Sequence, residues 1–273
     1  MDHPIRIGAV NYLNTKPLIC DLEQLAPAAE LVLEVPSRLA DNLAAGRLDV
    51  ALIPVIEYFR AGCYSIVPGI AIASRGPVLS VTLFSRKPWP EIRTVALDEG
   101  SRTSAALCQV LLRKRHGADV NVIPLPLDRL AESVDTDAVL LIGDRAMRAC
   151  LPGFQYAFDL GQEWHDWVGL PFVYAVWAVR EGIDLGPVAA ALHEARRRGI
   201  DRIGPIAHDE APRLGLDAGF CRRYLANIIH FDFGPREQAG LHHYYMLACE
   251  LGLARRGVSV EFYRDKVLAG VRR

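Results

Sequence analysis

Short apolar runs that each end in a polar or glycine-bearing loop form an ordered series in this chain, and the series stops and then restarts. Ile5-Arg6-Ile7-Gly8-Ala9-Val10 reads as a buried first strand, with Asn11, Asn14 and Thr15 after it as candidate helix caps. The run LVLEVP is a second strand, and a helix from Ser37 carries Leu39 and Leu43 on one face and ends at Gly46. The run DVALIPV at residues 49 to 55 completes a β-α-β unit, and Ile66 to Ile72 adds a strand before the turn Ser74-Arg75-Gly76-Pro77. The pattern then begins again. Leu79 to Phe84 alternates as a strand, Pro88-Trp89-Pro90 breaks the chain, and Thr94 to Leu97 leads into a helix opened by Ser101-Arg102-Thr103-Ser104. Val120 to Ile123 and Ala138 to Ile142 supply further strands, the latter ending in Gly143-Asp144. Phe172 to Val179 is strand-like again, and helices follow at Pro187 to Arg198, around Phe220 to Ile229, and at Pro235 to Leu253.

Two strand-helix series joined by two strand-like connections predict an α/β protein of two lobes. Residues 1–84 and 177–273 would form the first lobe and 85–176 the second, with a hinge and a ligand cleft between them. This is the layout of the two-lobed, type II periplasmic-binding-protein-like fold; a single doubly wound sheet is the alternative. A chain of 273 residues, 51% of them hydrophobic, is long enough for either. The formal charge of -1 leaves no surplus of positive charge to follow a polyanion, which argues against nucleic acid and for a small ligand. The first residues lack a basic stretch leading into a long apolar run, and no span of about 18 apolar residues occurs. The expected location is therefore cytoplasmic, without a membrane segment. Six cysteines stand singly with no C-x-x-C pair, and Cys108, Cys150 and Cys249 fall in apolar helical patterns as small buried hydrophobes. The eight histidines show no ligand spacing, so no metal is expected.

The strongest chemical signal is Asp98-Glu99-Gly100-Ser101-Arg102-Thr103-Ser104, directly after a strand. The unpaired amides of a helix start, three hydroxyls and a guanidinium suit a carboxylate or phosphate; a capped helix with solvated side chains is the plainer alternative. Asn11 and Asn14 are candidates to orient a ligand, and capping would explain one of them. Arg75 and Ser80 flank the proposed hinge, where an ordinary turn is the competing explanation. Asp144 ends an apolar strand and would project into the cleft, unless it pairs with Arg145 or caps a helix. In Glu163-Trp164-His165-Asp166-Trp167 the aromatics fit core packing, although Trp167 would serve as the wall for a ring-shaped ligand. No Gly-x-Ser-x-Gly elbow and no cysteine beside a base marks covalent catalysis.

The blocks GAVNYLNTKPL, DVALIPVIEY, SRGPVLSVTLFSR, VALDEGSRTSAALCQVLL, DAVLLIGDRAM and DLGQEWHDWVGLPFVYAVWA occur in this order over roughly residues 5 to 180. Together they resemble the chorismate dehydratases of the futalosine route to menaquinone. The resemblance implies a binding-protein-like fold used as a lyase, with no metal or organic cofactor. It also implies the anionic substrate chorismate and the product 3-[(1-carboxyvinyl)oxy]benzoate, formed by loss of water. A sister family that acts on cyclic dehypoxanthine futalosine is expected to carry a histidine base where this chain has Asp144, which favours the dehydratase. Two catalytic assignments stay open. In one, Asn14 hydrogen-bonds the reacting ring substituents and the enolpyruvyl carboxylate of the substrate takes the proton; in the other, Asp144 is the acid or base. A cytosolic binding protein or sensor for a small aromatic or cyclic carboxylate is the alternative function.

Overall fold

The computed structural model describes residues 4–264. Eleven strands are assigned among these residues: β1 Arg6–Val10, β2 Glu30–Glu34, β3 Val50–Pro54, β4 Ser65–Ser74, β5 Val81–Ser85, β6 Thr94–Asp98, β7 Asn121–Leu125, β8 Ala138–Ile142, β9 Tyr156–Asp159, β10 Phe172–Val179 and β11 Ile229–Phe233. They form two sheets, one ordered β11-β4-β10-β3-β1-β2 and the other β7-β6-β8-β5-β9.

Each sheet has a parallel β-α-β centre and is completed by antiparallel strands from the connections. β1 runs parallel to β2 and β3, placing Ile7 beside Leu31 and Val50, while β10 lies antiparallel between β3 and β4. β6 likewise runs parallel to β7 and β8, and β5 lies antiparallel between β8 and β9. The residues explain which strands are central. VALIP in β3, AVLLI in β8 and FVYAVWAV in β10 are buried at every position, as expected for strands covered on both faces. β2, at an edge, has no buried residue.

The two lobes expected from the sequence are present as two sheets, but the changeovers lie elsewhere. β5 belongs to the second sheet and β10 to the first, so the chain crosses between them at 75–80 and again at 169–171, ahead of the expected breaks after 84 and 176. The apolar runs at 79–84 and 172–179 mark strands equally well for either sheet. Which sheet takes them is decided by pairing with distant strands.

One carboxylate ties the crossings together. Asp159 accepts from the Val78 and Leu79 amides at 3.0 and 2.7 Å, and from the Gly161 and Gln162 amides at 2.9 and 3.0 Å as it caps the helix Leu160–Val168. Leu79 is held there with φ +60°, a left-handed conformation unusual for a residue with a branched side chain. The lobes also pack directly. The helix Arg102–Val110 of the second lobe lies against Val55–Ala61 and Pro235–Glu250 of the first: Thr103 accepts the Ile56 amide on its hydroxyl at 3.2 Å and the Tyr244 phenol on its carbonyl at 3.2 Å.

Several sequence expectations change in detail. Helix Leu160–Val168, helix Ile203–Leu214, β9 and β11 stand where no element was expected. Cys108 and Cys249 are buried, whereas Cys150 is exposed because it follows the end of the short helix Gly143–Arg148. Among the described residues, no helix is long and apolar enough to cross a membrane, and no three His, Cys, Asp or Glu side chains come together as a metal-binding group.

Candidate active site

The carboxyl ends of the parallel strands in both sheets face one another, and a cleft lies between them, the place where open α/β sheets bind ligands. It contains about 510 Å³ of space between atoms, solvent at its mouth included. The first lobe contributes Val10 at the end of β1, Tyr12 and Asn14 from the loop after it, Pro36, Pro54, and Ile72, Tyr174 and Ala175 from the antiparallel strands. The second contributes Val78, Ser80 and Val81 at the crossing, Ser101 and Ser104 at a helix start, and Ile142 with Gly143 at the end of β8. None of these fifteen residues carries a charged side chain. The polar side-chain groups of the lining are the hydroxyls of Tyr12, Ser80, Ser101, Ser104 and Tyr174 and the amide of Asn14.

The helix start in this lining is a capped one. Ser101 is the N-cap of Arg102–Val110: its Oγ lies 3.3 Å from the Ser104 amide, which donates to it, and 2.9 Å from Ser104 Oγ. That uses one of the orphan amides of the first turn, and the dipole leaves this end of the helix attractive to a carboxylate. On the opposite side, a second cluster centres on Tyr224. Its buried phenol donates to Ser80 Oγ at 2.8 Å, and Asn14 lies beside the same phenol. Ser80 also accepts the Gly143 amide on its carbonyl at 2.7 Å. Tyr174 forms the wall on β10, with its phenol 3.1 Å from Ser74 Oγ, which in turn donates to the Gly76 carbonyl at 3.1 Å. Burial raises the pKa of the phenols of Tyr12, Tyr174 and Tyr224, so all three stay neutral.

Tyr12 crosses from the first lobe onto Gly143 of the second. A side chain at Gly143, where φ is +60°, would meet the Tyr12 ring at 3.0 Å. Next to this contact, Asp144 Oδ1 accepts the Leu13 amide at 3.3 Å, again across the cleft. Burial raises the Asp144 pKa; the Leu13 hydrogen bond and the charges of Arg148 and Lys16 oppose it. The carboxylate is therefore buried beside the cleft, turned toward the backbone of the loop that carries Asn14, and is absent from the lining.

The sequence over residues 5–250 matches the family model described as menaquinone biosynthesis. The chain belongs to the menaquinone biosynthesis family. Relatives of this member include the chorismate dehydratase of Thermus thermophilus, 32% identical over 247 residues that span 82% of this chain and 88% of the relative. The chorismate dehydratase of Campylobacter jejuni is 27% identical over 90% of this chain and 99% of its own length. Among solved structures, a protein from Archaeoglobus fulgidus superposes with a TM-score of 0.72 at 19% identity, covering 92% of this chain and 99% of that one. The alkanesulfonate-binding protein SsuA from Xanthomonas axonopodis pv. citri, bound to MOPS, gives 0.68 at 17% identity, covering 95% and 98%. The fold of this family member is thus the periplasmic-binding-protein-like fold expected from its strand pattern.

Of the residues singled out in the sequence, the cleft of this menaquinone-biosynthesis family member gathers Asn14, Ser80, Ser101 and Ser104. The others are engaged elsewhere. Asn11 is exposed and accepts from Lys16 Nζ at 3.2 Å; neither it nor Asn14 caps a helix, because the 3-10 turn Leu13–Ile19 starts after Tyr12 with no side-chain cap. Thr15 is fully buried and donates to Asn14 Oδ1 at 3.4 Å. Arg75 pairs with the buried Glu237 at 3.1 Å. Arg102 bridges the lobes, with both its terminal nitrogens 2.9 Å from the Asp41 carboxylate and Glu57 at 3.3 Å. Thr103 packs between helices, and Trp167 sits edge-on against Trp164 in the core. Arg145 pairs with Asp98 at 3.3 Å, not with Asp144. Tyr12, Tyr174 and Tyr224 were missed because an aromatic at a strand end or inside an apolar run carries no mark that separates a cleft wall from core. The alternation in PFVYAVWA is the one local hint, since it sets Tyr174 on the face opposite Val173.

Proposed function

We propose that this chain is a hydro-lyase that converts chorismate to 3-[(1-carboxyvinyl)oxy]benzoate. The observation that carries the reading is the 32% identity to a chorismate dehydratase over most of both chains. The cleft supports it: chorismate is a compact dicarboxylate, and the cleft joins apolar walls for a ring to neutral hydrogen-bond donors at two ends. Loss of the ring hydroxyl and the neighbouring ring proton forms a benzene ring, so the products lie far downhill. The protein's work is then to orient the ring and to stabilise charge that spreads into the carboxylate-conjugated diene as the proton leaves.

In this reading one carboxylate of the substrate sits at the Ser101–Ser104 helix start, and the reacting edge of the ring faces Asn14 and Ser80. The enolpyruvyl carboxylate accepts the ring proton and passes it to the departing hydroxyl, which leaves as water while the neutral donors stabilise the charge that gathers on its oxygen. Asp144 serves by holding the Leu13 amide, and with it the loop bearing Asn14. Two features favour this division over an Asp144 base: Asp144 is absent from the lining, and one of its oxygens already accepts a hydrogen bond. Turnover of chorismate by Asn14→Ala and Asp144→Asn tests the division. Loss of an aimed donor costs about 100-fold or more in kcat, so Asn14→Ala is expected to lose that much and Asp144→Asn much less. Full turnover by Asn14→Ala with none by Asp144→Asn would reverse the assignment.

A further inference from the structure

The hydrogens around Tyr224 can be accounted for one by one, and this gives the residue a role. A phenol has one proton to donate, and Tyr224 spends it on Ser80 Oγ at 2.8 Å. Asn14 stands beside the same phenol, and its Oδ1 accepts from the Thr15 hydroxyl at 3.4 Å. One donor is then left over at the Tyr224 contact, the proton of Ser80, and Ser80 lines the cleft together with Asn14.

We propose that Tyr224 is a positioning residue: its single hydroxyl, donated to Ser80 Oγ, fixes the direction of the Ser80 hydroxyl, so that Ser80 presents its proton to the reacting edge of the substrate. The site requires this anchor because a serine hydroxyl otherwise rotates about its C–O bond. With Tyr224 in place the acceptor side of Ser80 is engaged away from the substrate, and the donor left facing the cleft suits a leaving hydroxyl oxygen that gathers negative charge. The buried phenol does not ionise in the working pH range, because burial and the charges of Asp144 and Asp159 raise its pKa, so the pattern of donors does not change with pH.

The proposal rests on the dehydration reading, and a double-mutant cycle on the full chain separates the two. Tyr224→Phe removes one oxygen and keeps the ring. It is expected to lower kcat/KM for chorismate about 10- to 100-fold, the larger part in kcat, with the melting temperature within a few degrees of wild type. In a Ser80→Ala background the same change is expected to cost less than about threefold, since the group it acts through is gone. A purely structural role would lower the melting temperature and cost the same factor in both backgrounds; that result, or turnover by Tyr224→Phe within twofold of wild type, overturns the proposal. If wild type leaves chorismate unchanged, the dehydration reading falls by itself, and the cycle is run on chorismate affinity by calorimetry. A loss of affinity in Tyr224→Phe that vanishes in the Ser80→Ala background then supports the positioning role, and equal affinities, or no binding by any variant, overturn it.

Discussion

Gly161 is the position where one added carbon tells most about how the crossings support the cleft. A Cβ there would lie 2.6 Å from the Gly76 carbonyl oxygen, 2.7 Å from Tyr174 Oη and 2.8 Å from Ser74 Oγ. None of the three partners is a loose side-chain end. The carbonyl belongs to one crossing, Tyr174 is a cleft wall, and Ser74 Oγ links them. Gly161→Ala must break two hydrogen bonds at about 1 kcal/mol each and overpack the site by about 1–3 kcal/mol, so a loss of about 3–5 kcal/mol is expected. At about 2–4 °C per kcal/mol the melting temperature drops by roughly 10 °C. The displaced Tyr174 wall also lowers kcat for chorismate about tenfold, equivalent to about 1.4 kcal/mol in the barrier. The control is Gly204→Ala: in helix Ile203–Leu214 a Cβ there meets nothing within 4 Å, so helix propensity stabilises the protein by about 0.5–1 kcal/mol. Calorimetric melting and steady-state turnover of both variants check the pair. A Gly161→Ala protein that melts and turns over like wild type would refute the reasoning.

Three further outcomes follow from charge. Asp49 is fully buried between Arg6 at 2.8 Å and Arg180 at 2.9 Å, and their hydrogen bonds hold its pKa well below the usual carboxylate range. Its contribution is present above the unfolded-state pKa of about 4 and is lost as pH falls through the depressed folded value. Asp49→Asn is expected to cost about 2–3 kcal/mol at pH 7, a gap that narrows on acidification, measured by urea unfolding across pH. Asp144 has the opposite sign: its raised pKa means that ionisation in the folded state is unfavourable, so Asp144→Asn, which keeps an acceptor for Leu13, is expected to match wild type below about pH 4 and to be the more stable at pH 7. Arg102→Ala breaks a half-exposed pair with Asp41 outside the cleft, so KM for chorismate is expected to stay within about twofold and stability within about 1 kcal/mol. A large rise in KM would restore Arg102 to the substrate.

The strand series was legible because buried parallel strands such as DVALIPV and DAVLLIG are continuous apolar runs, and their carboxyl ends locate the cleft. Asn14, Ser101 and Ser104 follow such strand ends, and Ser80 was found beside the expected hinge. Position along the chain misled for Arg75 and Arg102. A cation near a strand end is as ready to pair with a protein carboxylate as with a ligand, and Glu237, Asp41 and Glu57 are brought to them only by the tertiary fold. The strand-end rule failed for Asp144 in a finer way, since the residue is at the cleft's edge while its carboxylate faces the Leu13 amide. Tyr224 lies more than 140 residues from Ser80 in the chain, and nothing local in LANIIHF announces the contact. The changeovers were misplaced for a related reason: β5 and β10 carry the same apolar signal whichever sheet they join.

The most direct measurement is to incubate the purified chain with chorismate and follow the solution by ultraviolet absorbance and mass spectrometry. The account predicts an aromatic enol ether lighter than chorismate by one water, formed catalytically and without added cofactor. Chorismate that binds, by calorimetry, yet persists unchanged would contradict the lyase and leave a binding protein or sensor for a cyclic carboxylate in its place.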